Sequence, residues 1–159
     1  MSTTHATVDD FLAATATGGS PIALRTVGAP ARTPRTALVG VAARRIDAHT
    51  ARTLPGLYRT IAAAWDFPAH FGMNKDAFDD CMGDLPAAKR GYLTEIVDPA
   101  ALLDQSPGEL SWFIDSISFY AGEYAPARQF GVLLLAPRAT VAPTVQAWTA
   151  AGADVVTVR

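Results

Sequence analysis

The chain has 159 residues, half of them hydrophobic, with 13 basic and 15 acidic side chains and one cysteine. A chain of this length builds one domain whose core needs neither disulfides nor a structural metal, and a lone thiol can form neither an internal disulfide nor a cysteine-based zinc site, so a reducing, cytoplasmic setting is expected. No apolar run approaches the roughly 18–20 residues of a bilayer span, and no basic residue precedes an apolar stretch at the N-terminus, so neither a membrane partner nor a secretory signal is expected.

Residues 1–36 are rich in Thr, Ala, Gly and Pro and read as a partly ordered N-terminal extension, with a short helix at Val8–Ala14, a strand at Pro21–Val27 and a loop at Gly28–Pro34. Residues 37–159 read as an α/β domain. Thr36–Ile46 is predicted to be a strand. From Thr53 the period becomes helical, because Leu54, Leu57, Tyr58, Ile61 and Trp65 share one face and Thr53 can cap it. Pro68 ends that helix, Gly72 offers a left-handed position, and Asn74 opens a second helix predicted over Asn74–Leu85. A strand at Gly91–Val97 and a turn at Asp98-Pro99 follow. The next helix, Pro107–Tyr124, carries one apolar stripe through Phe113, Ile114 and Ile117 and a second through Trp112 and Phe119, so both sides are expected to be covered. Phe130–Ala136 is a continuous apolar run of the kind buried on both faces of a parallel sheet. A helix at Ala142–Ala151 and a strand at Asp154–Val158 close the chain. Alternating strands and helices imply right-handed crossovers and a small parallel sheet of three or four strands flanked by helices. The last helix and strand would either add the fourth strand or dock on the doubly apolar helix.

Charge is unevenly distributed. Residues 1–65 sum to +4, residues 66–123 to −8 and residues 124–159 to +2. The acidic middle third would attract a cationic partner and repel nucleic acid, although a solvated acidic face kept for solubility gives the same pattern.

Enzyme signatures are missing from the sequence. There is no phosphate-cradling glycine loop and no G-x-S-x-G elbow; His5, His49 and His70 are scattered, and Cys81 sits among apolar residues as an inert thiol. No cofactor is expected.

The second helix is two-faced. Phe78, Cys81, Met82 and Leu85 occupy one side, and Asp76, Asp80 and Asp84 line the other at four-residue steps. Like charges four apart on a helix cost about 0.2–0.5 kcal/mol per pair, and the helix dipole compensates only Asp76 in the first turn. Two functions would justify the row: a divalent metal held by Asp76, Asp79 and Asp80 in a metal-dependent enzyme, or presentation to a cationic surface. The metal reading lacks the second acidic helix that such sites require.

The run Phe67-Pro68-Ala69-His70-Phe71-Gly72-Met73-Asn74-Lys75-Asp76-Ala77-Phe78-Asp79-Asp80-Cys81-Met82 resembles, without a gap, the signature of the barstar family, intracellular inhibitors of secreted microbial ribonucleases such as barnase. The resemblance covers about Ile46–Ala136. It implies a barstar-like fold and a non-enzymatic immunity protein, or antitoxin, whose acidic helix blocks the basic active site of a cognate ribonuclease in a 1:1 complex. Carried over by position, Asp76 and Asp80 replace RNA phosphates, Asn74 and the backbone near Gly72 complete the contact, and His70 packs on the catalytic region. Asp79 and Asp84 extend the acidic face. His70 stands where the family has tyrosine, Asp79 where it has a bulky aromatic, and Asp84-Leu85 where it continues toward another tryptophan, which points to a partner other than barnase. The alternative within this class is a different cationic toxin.

Overall fold

Two segments buried on both faces fix the architecture. In the computed structural model, which describes residues 4–159, they form β4 (Gly91–Val97) and β5 (Gln129–Pro137), with every residue of β4 and residues 130–136 of β5 buried. Strands hidden on both sides need cover on both sides, and the remaining elements supply it. They are β1 (Thr4–His5), α1 (Val8–Thr15), β2 (Ile22–Val27), β3 (Val41–Asp47), α2 (Leu54–Ala64), α3 (Lys75–Met82), α4 (Glu109–Tyr124), α5 (Arg138–Ala150) and β6 (Val155–Val158). The sheet order is β1-β6-β2-β5-β4-β3, and every pairing is parallel.

The sheet therefore has six strands rather than the three or four expected. The additional pairing comes from the chain's two ends: β2 lies between β5 and β6, and β1 joins the outer edge of β6. Residues 4–36, which read from the sequence as a partly ordered extension, supply the edge strand β1, the interior strand β2 and the helix that covers the second face. The C-terminal strand joins the sheet, the first of the two expected alternatives.

One face of the sheet, through Tyr92, Ile96, Phe130, Val132 and Leu134, shares a core with α2, α3, α4 and Trp148 of α5. The other face packs Leu93, Leu133 and Val156 against Phe11 and Leu12 of α1. Gly131 permits this approach: a Cβ there would sit 2.9 Å from both Phe11 and Leu12. On the same side β3 pairs Arg45 in register with Glu95 of β4, and their side chains form an ion pair at 3.2 Å, with Glu95 1% exposed. The Arg45 guanidinium also donates to the carbonyls of Thr33 and Pro34, while Thr36 Oγ1 donates to Glu95 at 2.9 Å. These bonds hold residues 33–36 across the sheet, and Gly40 turns the chain at φ +82°. The strand consequently begins at Val41 rather than Thr36.

Local signals placed the helices that carry the site. Thr53 Oγ1 accepts from the Gly56 amide at 3.1 Å and caps α2, and Asn74 Oδ1 accepts from the Ala77 amide at 2.8 Å and caps α3. Two expectations are corrected here. Between the helices Met73, not Gly72, takes the left-handed conformation, at φ +55°. The second helix ends at Met82 with Gly83 as its C-cap, so Asp84 lies beyond it and the expected three-carboxylate row has only two members on the helix.

Candidate partner-binding site

The loop from α2 to α3 is pinned by its aromatic residues. Trp65 is fully buried and donates through Nε1 to Thr94 Oγ1 at 3.0 Å, and Asp66 then reverses the chain at φ +54°. Phe67 and Phe71 stack edge-on at 5.2 Å and reach Phe78 and Tyr58, at 6.0 Å in each case. With these rings turned inward, His70, Gly72 and Asn74 are left exposed beside the start of α3.

Along α3, Phe78 and Met82 are buried, while Asp76 and Asp80 stand exposed on the opposite side. The helix's one cation is engaged elsewhere: Lys75 Nζ lies 2.9 Å from the Glu109 carboxylate and 5.0 Å from the centre of the Trp112 ring. Among the described residues, Asp76, Asp80 and Asp84 form no ion pair within the chain.

Asp79 differs from its neighbours. It is half-buried and accepts a hydrogen bond from the Tyr120 hydroxyl of α4. Burial first, and Asp79 second, push the Tyr120 phenol well above its ordinary range. One turn later Tyr124 bridges the end of α3, donating to the Met82 carbonyl at 2.7 Å and accepting from the Leu85 amide at 3.3 Å. Two tyrosines of α4 thus hold α3 in place. Cys81 is half-buried, and burial, followed by the charges of Asp80 and Asp84, raises its thiol pKa. A thiol so disposed is a poor nucleophile at neutral pH.

The structure adds a residue that the sequence reading placed in the core. Phe119, expected to be covered, is 60% exposed. With Glu123, Asp79 and Gly83 it borders a recess of about 220 Å³ beside the acidic helix. Its helical spacing identified an apolar position but could not tell which of the two apolar sides of α4 would face the core.

Metal-binding geometry is not found at the acidic helix. Among the described residues, Asp76, Asp79 and Asp80 do not bring three ligand atoms together; the group that does, within 4.8 Å, is Asp47, His49 and Asp98 at the ends of β3 and β4. Those three already satisfy one another in part, since Asp47 accepts from the His49 amide at 2.9 Å and His49 Nε2 lies 3.2 Å from Asp98. The parallel register brings them together, which a search for histidines at helical spacing could not detect.

Among the described residues no helix is long and apolar enough to cross a membrane. The family model described as Barstar (barnase inhibitor) matches residues 41–134. No curated protein and no solved structure matches the chain.

Proposed function

The chain belongs to the barstar family, and from that premise we propose that it is an immunity protein which inhibits a cognate basic ribonuclease by placing α3 in the enzyme's phosphate-binding cleft. An enzyme that holds RNA must concentrate Arg, Lys and His where the phosphates bind. Asp76 and Asp80, one helical turn apart on a capped and buttressed helix, offer that cleft the charge it is built to take. His70, Gly72 and Asn74 form the exposed shoulder of the same surface. Asp84 extends the negative field from just past the helix, whereas Asp79 serves mainly to lock α3 to α4.

One observation carries the reading: among the described residues the two helix carboxylates pair with no cation, while the adjacent Lys75 is paired to Glu109. Like charges on neighbouring turns oppose folding slightly, so a partner that neutralises them offsets a cost built into the chain. The partner would be a protein rather than RNA, which the same field repels.

Titration of RNA cleavage tests this. With barnase and with the ribonuclease encoded nearest the gene as the two enzymes, stoichiometric loss of activity in either case, accompanied by a 1:1 complex on gel filtration, is the expected result. Undiminished cleavage by both enzymes at micromolar concentrations of the chain would refute it.

A further inference from the structure

Beside α3, on the side away from Phe119, a cleft of about 310 Å³ opens between the end of α2 and the end of α3. Its apolar lining comes from Trp65, Phe67, Pro68, Leu85 and Pro86. Three carboxylates stand around it, Asp66 from the reversal after α2 and Asp80 and Asp84 from the end of α3, and none forms an ion pair among the described residues. We propose that this cleft is a socket for one arginine side chain of the protein partner, with the aliphatic stem on the apolar floor and the guanidinium among Asp66, Asp80 and Asp84. The proposal rests on reading the acidic helix as the docking face, and Asp80 belongs to both surfaces.

The chemistry selects arginine. A hydrated metal ion gains nothing from an apolar floor, and these oxygens do not converge as the ligands of an ion must. An anion is excluded by charge. A guanidinium is planar and weakly hydrated, can fork between carboxylates and carries three methylenes to bury, which matches a cleft apolar below and acidic at its rim. The chain itself supplies a precedent: the Arg44 guanidinium lies 5.0 Å from the centre of the Trp65 ring, outside the cleft's lining. The cleft volume falls at the bottom of the range, about 300–1,000 Å³, typical of small-molecule sites, and so suits a side chain better than a cofactor.

Cys81, the chain's one thiol, lines this cleft and serves as a built-in reporter. Its field already registers there, since Asp80 and Asp84 both raise its pKa after burial does. The wild-type protein is labelled in parallel with a trimethylammonium-bearing and a sulfonate-bearing methanethiosulfonate; dividing each rate by that for 2-mercaptoethanol removes the reagents' intrinsic reactivities, and the Cys81 thiolate fraction cancels from the ratio of the two. At low salt the cationic reagent should react roughly tenfold faster than the anionic one, the lower end of electrostatic focusing in a charged cleft. The preference should shrink in 1 M salt and in Asp66→Asn with Asp84→Asn, and N-acetylarginine amide should slow labelling where the citrulline analogue does not. A ratio near one, protection by citrulline, or equal protection by N-acetyllysine amide would overturn the assignment. If the thiol reacts too slowly with both reagents, amide shifts of Asp66, Cys81 and Asp84 on titration with N-acetylarginine amide read the same occupancy, and unmoved resonances contradict it. No ribonuclease enters these measurements, so failure of the socket and failure of inhibition are told apart.

Discussion

The Tyr120 hydroxyl donates to Asp79 Oδ1, so the one acidic residue of α3 that leans toward the protein is tied to α4, while Asp76 and Asp80 form no ion pair among the described residues. The bond separates two jobs among three nearby carboxylates. Asp79 fixes where the helix sits, and in the proposed function the other two determine what it attracts.

Tyr120→Phe should therefore be costly for stability rather than for charge. It leaves a half-buried carboxylate without its donor, a loss of about 1–3 kcal/mol. It should also change the alkaline limb. The folded phenol is raised above the unfolded value of about 10, so its contribution is complete below that pH and is lost as pH rises through the folded value. Burial raises Tyr58 and Tyr124 in the same direction. Chemical denaturation from pH 8 to 11 should show wild-type stability falling steeply above about pH 10, and the Phe variant falling less.

Glu95→Ala should destabilise the chain and release residues 33–36 from the sheet. It strands the almost fully buried Arg45 guanidinium, and removing one member of a buried pair costs about 3–5 kcal/mol. Replacing both partners together, with Arg45→Met and Glu95→Leu, should recover most of that loss. Urea unfolding of the two variants checks the difference, and protease cleavage near Thr33–Thr36 should appear first in the Ala variant, because those residues are held by the pair.

Phe119→Ala should leave stability within about 0.5 kcal/mol, since the ring is mostly in water. In the inhibition assay it should cost tenfold or more, about 1.4 kcal/mol, as an aromatic anchor next to the acidic helix would. An unchanged inhibition constant would remove α4 from the docking surface.

What could be read from the sequence was local. Asn74 and Thr53 announce their helices through capping geometry, and the spacing of Leu57, Tyr58 and Ile61 names the buried face of α2. Non-local pairings were not legible. β2 is easily recognised as a strand at Ile22–Val27, yet its place between β5 and β6 depends on partners more than a hundred residues away. Asp84 falls in α3 only when the apolar spacing to Leu85 is given more weight than Gly83 and Pro86, which are local stop signals; in the fold Gly83 caps the helix at Met82, and the Tyr124 hydroxyl takes the Met82 carbonyl and the Leu85 amide. Asp66 was not legible either, because its position beside α3 follows from a backbone reversal at a non-glycine residue.

The most direct test is the double variant Asp76→Ala with Asp80→Ala, assayed for inhibition of the ribonuclease that the wild-type chain blocks. Folding should be unchanged or improved by about 0.2–0.5 kcal/mol, because a like-charged pair on adjacent turns has gone. Truncating one member of a buried interfacial charge pair costs about 2–5 kcal/mol, a range to which this family's own complex contributes, so inhibition should fall by at least a hundredfold. A folded double variant that inhibits as well as the wild-type chain would show that the acidic helix is not what the ribonuclease recognises.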